Sequence, residues 1–440
     1  MTKRIVIIGG GFSGLAAGVS LAESGAEVIL LERRGFLGGR AYSFVDSKTG
    51  DVIDNGQHLF MACYHQTRAF LDRIGCGDRL RFQSSPSVEF LDRDNGFTPF
   101  DCPPLPAPLH ALIGLLKMKG LTLGDKARVF KVAKALRPGT NGYAGATVSE
   151  WLRSLGQSER IRERFWYPMA IATLNEDPNI ASAKMLKRVL ELAFGGSRSD
   201  SAIGMSRVGL SDLDVHGARN FIESRGGRII VNAEVRRLAT QGSRITACEL
   251  KSGARIDADC FISAVPPDAF ARLAPDGRRT DEFERAGRLE SSPIISINVW
   301  FDRPVIDREF AGLLGGNVQW LFNKDLICPE SSKGNHLALV ISAARAYTEW
   351  TPAKLVEMAL GELGSLLPAS RRAKVVHSRT IKERAATLSH TIESDHLRPP
   401  ARTSLENLFL AGDWTDTGLP ATIEGAVVSG NLAAELARRL

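Results

Sequence analysis

Ile5-Val6-Ile7-Ile8-Gly9-Gly10-Gly11-Phe12-Ser13-Gly14 runs from a short aliphatic segment straight into a glycine cluster. The unbroken apolar run predicts a strand in the middle of a parallel sheet, buried on both faces. Gly9, Gly11 and Gly14 have G-x-G-x-x-G spacing, and Ser13 to Ser24 continue as a small-residue helix stopping near Gly25. A second strand, Glu27 to Leu31, ends in Glu32. A tight turn at Gly9, close backbone approach at Gly11 and close helix–strand contact at Gly14 bring a pyrophosphate onto the helix N-terminus. Glu32 stands where a carboxylate accepts hydrogen bonds from ribose hydroxyls. The unit predicts dinucleotide binding and leaves NAD and FAD open.

Two further segments separate them. Arg33-Arg34-Gly35-Phe36-Leu37-Gly38-Gly39-Arg40 follows Glu32, and Asn407 to Leu410 form an apolar strand ending in Gly412-Asp413. Thr422-Ile423-Glu424-Gly425-Ala426 then opens a small-residue helix that runs to the end. FAD outgrows the first unit, so a second strand-end carboxylate, Asp413, suits its ribitol, and the positive end of the last helix suits the flavin pyrimidine.

With these segments in place, the chain resembles the amine oxidase and phytoene desaturase superfamily of flavoproteins. Within it, Asp54-Asn55-Gly56-Gln57-His58-Leu59-Phe60-Met61 and Pro420 to Ala426 are similar to the hydroxysqualene dehydroxylase family of bacterial hopanoid synthesis. The resemblance implies an α/β fold with a Rossmann-like FAD-binding domain assembled from residues 1–60, 211–275 and 401–440. An inserted α+β substrate domain is then expected over 61–210 and 276–400. It implies non-covalent FAD held by Gly9, Gly11, Phe12, Ser13, Gly14, Glu32, Arg33, Gly39, Arg40, Gly56, Gln57, His58, Val235, Gly412, Asp413, Thr422 and Ile423. The implied reaction is reductive removal of an allylic hydroxyl, with hydride passing from flavin N5 to carbon to give squalene. That chemistry needs an apolar slot for a long isoprenoid, a proton source and exclusion of water. His58 is the first candidate proton donor, with Gln57 and Tyr64 next; equally, Gln57 and His58 only hydrogen-bond the cofactor. An oxidative phytoene-type desaturase, an amine oxidase and a non-catalytic flavin-binding interaction protein are the competing readings. No second nucleotide fingerprint is visible, so a separate electron donor or transient nucleotide binding is implied.

Between the two ends, Arg228 to Val231, Glu234 to Leu238, Ile245 to Leu250 with Arg255 to Asp257, and Phe261 to Val265 return to strand patterning. Pro99 to Pro108 reads as a rigid loop. The strand Ile294 to Phe301 alternates enough to be half buried; it and Trp166-Tyr167-Pro168 and Trp320 read either as cavity wall or as core. Residues 109–137 alternate apolar residues with Lys117, Lys119, Lys126, Arg128, Lys131, Lys134 and Arg137, with only Asp125 acidic. Residues 105–137 therefore read two ways, as an amphipathic helix with a solvated basic face or as a segment contacting an anionic membrane.

The remaining composition narrows the class. The 440 residues are 44% hydrophobic and carry 56 Lys+Arg against 49 Asp+Glu, an excess of only +7. That suits a soluble globular chain of two or three domains and does not call for a nucleic-acid partner. The lysines and arginines of 117–137 account for most of the excess. Cys63, Cys76, Cys102, Cys248, Cys260 and Cys328 are far apart with no zinc spacing, so buried reduced thiols and no metal site are expected. The opening residues hold neither a signal peptide nor a spanning segment, which points to the cytoplasm, with a peripheral position on the inner face of the cell membrane as the membrane variant.

Overall fold

The computed structural model describes residues 2–137, 139–140, 143–275 and 280–440; the boundary expected at 275/276 borders residues outside that set. The opening strand, Arg4–Ile8, is central in a five-stranded sheet. The order is Arg228–Ile230, Glu27–Leu31, Arg4–Ile8, Cys260–Ser263, Leu408–Leu410, and each neighbouring pair is parallel. Strand order reverses on either side of Arg4–Ile8, so a crevice opens at the carboxyl ends of these strands.

Helices Phe12–Glu23 and Ile423–Arg439 cross the same face of the sheet. Their small residues are what permits this: a Cβ on Gly430 would lie 2.2 Å from the Ser13 carbonyl oxygen. Ile5, Ile7, Leu15, Val19, Val427 and Ala433 form that core. Phe70, Leu71, Ile74 and Leu80 join it, although residues 61–80 were expected on the substrate side. The opposite face buries Val6, Ile8, Ile29 and Leu31 against Leu238, Phe270, Phe283 and Trp414. Phe283 belongs to the helix Asp281–Arg288, so this part of 276–400 also packs on the nucleotide layer. Each fully buried Ile, Leu or Phe contributes roughly 1.5–3 kcal/mol.

The second layer is a seven-stranded sheet ordered Val375–Leu388, Ser291–Phe301, His336–Ile341, Trp320–Asn323, Phe310–Leu313, Ser87–Asp92, Gly96–Asp101. All its pairs are antiparallel except that of Phe310–Leu313 with Ser87–Asp92. Three expectations change here. Pro99 lies inside the strand Gly96–Asp101, not in a loop; the strand is at the sheet edge, where a missing N–H is tolerated. Ser291–Phe301 is buried on both faces rather than one: Ile295, Ile297 and Val299 pack under the helix Pro352–Leu366, while on the other face Trp300 stacks on His336 and donates to Asp51. The stretch 109–137 is two helices, Leu109–Lys117 and Leu123–Ala135, separated at Gly120, whose φ is +78°. Asp125, the lone acid there, is buried as the capping-box partner of Thr122.

No helix among the described residues is long and apolar enough to cross a membrane. All six cysteines are buried and unpaired.

Candidate active site

The crevice at the strand ends opens into one cavity of about 720 Å³, within the usual range for a small-molecule site. Its wall includes Gly9, Gly11, Phe12, Ser13, Glu32, Arg33, Gly39, Arg40, Gly56, Gln57, His58, Tyr64, Val235, Gly412, Asp413, Thr422 and Ile423, which are all but one of the residues singled out from the sequence. Gly14 is the exception. A Cβ there would sit 1.9 Å from the Gly9 carbonyl oxygen, so it serves the packing of helix on turn rather than the cavity wall.

Gly11 behaves differently. A Cβ at Gly11 would meet no protein atom closer than 3.6 Å, so the space beside it belongs to the cavity. Gly9 needs its glycine for conformation, with φ +109° and a Cβ that would lie 2.7 Å from the Ala264 carbonyl oxygen. Glu32 is buried, with one carboxylate oxygen accepting the Gly10 N–H at 2.9 Å and the other the Arg34 N–H at 2.8 Å. Carboxylate oxygens retain further lone pairs, so a ribose hydroxyl can still be received.

Arg40 and Asp413, which lie far apart in sequence, meet at 2.6 Å, and Arg40 also donates to the Ala386 carbonyl. The pair joins both glycine motifs to the strand Val375–Leu388. Thr422 caps the helix Ile423–Arg439, its hydroxyl accepting the Gly425 N–H at 3.2 Å. Two helix N-termini, at Phe12 and Ile423, thus face one cavity and present a positive field to an anionic or electron-rich group. A free cradle at Gly11, a ribose-side carboxylate, an Arg–Asp pair and a second helix N-terminus together fit FAD.

His58 has its pKa lowered, first by burial and then by the Arg40 and Lys324 charges, against the opposing pull of Asp54. Tyr64, beside Thr422, has its hydroxyl pKa raised by burial. Neither is ionised near neutral pH.

Sequence reasoning missed three polar residues that shape this site. Arg398 is buried and donates to the carbonyls of Asp413, Trp414, Thr415 and Leu419. His390 Nε2 accepts the Ala421 N–H at 2.7 Å; burial pushes its pKa down to about 3, so it stays neutral. Lys324 is buried against Asp54 and Gln57. Arg398 and Lys324 resemble surface charges in a linear sequence, and only the Arg398-Pro399-Pro400 turn before the last strand hints otherwise.

Away from the glycine turns the cavity becomes apolar, lined by Val88, Phe90, Phe100, Phe165, Trp320 and Phe322 among others. Trp320 and Ile294 thus belong to the cavity wall, whereas Trp166 packs in the core and donates its indole N–H to Gln157 Oε1 at 3.0 Å.

Residues 12–437 match the family described as flavin containing amine oxidoreductase. The chain is 32% identical to hydroxysqualene dehydroxylase of Sinorhizobium fredii, with 99% of each chain covered. It is 27% identical to 15-cis-phytoene desaturase of Solanum lycopersicum, covering 98% of this chain and 77% of that one. An oxidoreductase from Methanosarcina mazei shares the fold, with a TM-score of 0.78 at 18% identity over 98% of this chain and 100% of its own. The chain belongs to the flavin containing amine oxidoreductase family and is an FAD-dependent oxidoreductase.

Proposed function

We propose that this enzyme removes the allylic hydroxyl of hydroxysqualene and yields squalene. The observation that carries the reading is the apolar arm of the cavity. Among the described residues lining it over 86–102, 165–203 and 294–342, none is charged, as suits a long hydrocarbon chain. The full-length similarity to hydroxysqualene dehydroxylase supports this substrate over a phytoene-type polyene, since the phytoene desaturase of Solanum lycopersicum is covered over only 77% of its length.

Bound FAD, once reduced, supplies the hydride. The remaining work falls to the chain. The C–O bond breaks, carbon receives a hydride and the departing hydroxide takes a proton to leave as water. Each turnover consumes two electrons, which a separate reductant would supply. The apolar arm holds the isoprenoid and keeps water from the developing allylic charge. Asn55, Gln57 and His58 form the polar end of the wall, where the hydroxyl would lie.

His58 is our candidate for the proton given to that oxygen. Its depressed pKa sets the sign of the pH dependence: protonation becomes more complete as pH falls, so kcat rises by up to about tenfold per unit on lowering pH from 8 toward 6. His58→Gln should flatten the profile; an unchanged slope in that variant removes His58 from this role.

The reading also places the enzyme at an anionic membrane surface, since its substrate resides in lipid. Leu109, Leu123 and Phe130 are 46%, 86% and 53% exposed, and Lys117, Lys119, Arg128, Lys131 and Lys134 are exposed around them. Such a basic apolar surface suits the inner face of the cell membrane. Holoenzyme should co-sediment with phosphatidylserine-containing vesicles, and Leu123→Ser with Phe130→Ser should lower that binding about tenfold. Equal binding of both proteins would contradict the membrane assignment.

A further inference from the structure

A buried ammonium stands behind the polar turn Asp54–His58. Lys324 opens the short helix Lys324–Ile327 directly after the strand Trp320–Asn323 and is only 3% exposed. Its Nζ lies 3.1 Å from Asp54 Oδ2 and 2.9 Å from Gln57 Oε1. Asp54 Oδ1 in turn accepts the Ser43 hydroxyl at 2.7 Å and the Leu210 N–H at 3.0 Å. Both charged groups of this cluster are therefore engaged, as a buried ion pair requires. Burial alone would raise the Asp54 pKa; Lys324 and the two other donors, Leu210 N–H and the Ser43 hydroxyl, hold it below the ordinary carboxylate range.

The consequence falls on Gln57. An ammonium donates and cannot accept, so the amide must turn its oxygen to Lys324 and its NH₂ away. Nε2 has no hydrogen bond to any described residue, and Gln57 lines the cavity. An amide whose carbonyl is held by a cation is also a stronger donor at nitrogen.

We propose that Lys324 is a positioning residue that presents Gln57 to the cavity as a donor-only group, aimed at a hydrogen-bond acceptor of the bound molecules. That acceptor is either a carbonyl or ring nitrogen of the flavin or the hydroxyl oxygen of the substrate. The first alternative stands on the family assignment alone; the second rests on the function proposed above. In either case Gln57 neither takes nor gives up a proton. It stabilises charge on the acceptor, and Asp54 keeps the ammonium in place.

The test compares oxidised, FAD-loaded wild type with Gln57→Leu, Lys324→Met and the double variant. Oxidised holoenzyme has no hydride to deliver, so hydroxysqualene and squalene can be titrated as ligands by the flavin absorbance. The midpoint potential of bound flavin is measured on the same samples. With a substrate acceptor, each single variant weakens hydroxysqualene about tenfold or more, leaves squalene within twofold, and does not move the potential. With a flavin acceptor, both variants shift the potential in the same direction and treat the two ligands alike. In both cases the double variant is no worse than Gln57→Leu, because Lys324 acts through the amide. The proposal is overturned by Lys324→Met leaving affinity and potential unchanged, or by effects that multiply in the double variant.

Should Lys324→Met alone fold poorly, Asp54→Asn with Lys324→Met removes the unpaired carboxylate and serves in its place. Gln57→Glu provides an independent check on the substrate arm, since a carboxylate paired with Lys324 offers no donor and should lose the preference for hydroxysqualene over squalene as Gln57→Leu does. A wild type that fails to bind hydroxysqualene defeats the proposed substrate, and the flavin arm then decides the Lys324 proposal by itself.

Discussion

Gly11→Val is expected to give a folded protein that no longer retains FAD, whereas Gly14→Ala is expected to disrupt the fold around the same turn. Both glycines satisfy one motif, yet the surroundings assign them different jobs. Gly11 has φ −87° and ψ −176°, an extended conformation that valine adopts without strain. With no protein atom within 3.6 Å of the added Cβ, the new side chain projects into the cavity, where pyrophosphate must approach the backbone. Affinity for FAD should fall at least about 100-fold, read as loss of the 450 nm band after purification, while the apoprotein melts within about 2 °C of wild-type apoprotein. At Gly14 the new methyl would sit 1.9 Å from the Gly9 carbonyl oxygen, with backbone on both sides of the clash. The helix Phe12–Glu23 must move off its strand, and overpacking of this kind costs about 1–3 kcal/mol or more. Unfolding curves of the two apoproteins separate the cases. A coloured Gly11→Val protein, or a Gly14→Ala protein as stable as wild type, would refute the division.

Arg398→Met should be the most damaging single change outside the glycine turns, and Arg398→Lys should not repair it. The guanidinium Nη1 donates to the Leu419 carbonyl at 2.7 Å, Nη2 to those of Asp413 at 3.0 Å and Thr415 at 2.6 Å, and Nε to that of Trp414 at 3.4 Å. These acceptors form one loop, the one that carries Asp413 into the cavity. Among the described residues no carboxylate is hydrogen-bonded to this cation; burial lowers its pKa while Asp416, Asp413 and Asp395 oppose that effect. Methionine would strand several buried carbonyls, each worth about 1–3 kcal/mol when left unpaired. Allowing for relaxation, the loss should be about 3–5 kcal/mol, with FAD affinity falling as Asp413 loses its place opposite Arg40. A lysine ammonium lacks the planar fork needed to serve carbonyls spread over residues 413–419. Denaturant unfolding of the apoprotein and fluorimetric FAD titration measure the two effects. A change below about 1 kcal/mol would show that the loop holds its shape without the arginine.

The sequence made the nucleotide half of the site legible because backbone constraints leave marks in local patterning. A turn with positive φ, a helix N-terminus and a strand-end acid each demand particular residues at fixed spacing, and Gly9, Glu32 and Asp413 stand in the cavity wall as their spacing implied. The strands Arg4–Ile8 and Glu27–Leu31 were readable for the same reason. What pattern reading could not supply was pairing between separate segments, from 15 to 270 residues apart. Lys324 and Arg398 are buried cations whose partners, Asp54 and the carbonyls of 413–419, come from other segments. Nothing in Asn323-Lys324-Asp325 distinguishes a buried ammonium from an ordinary polar cap. The basic stretch 109–137 misled in another way. Its composition was continuous, but Gly120 and the Thr122 capping box divide it into two helices, and Leu115, Met118, Val129 and Val132 turn inward while Leu123 and Phe130 stay outside.

Anaerobic incubation of the holoenzyme, fully reduced with dithionite, with hydroxysqualene and extraction of the products tests the proposed reaction most directly. One squalene formed per flavin reoxidised in a single turnover is the expected result. Intact hydroxysqualene beside flavin that stays reduced, or bleaching of the oxidised enzyme by a polyene or an amine, would contradict it.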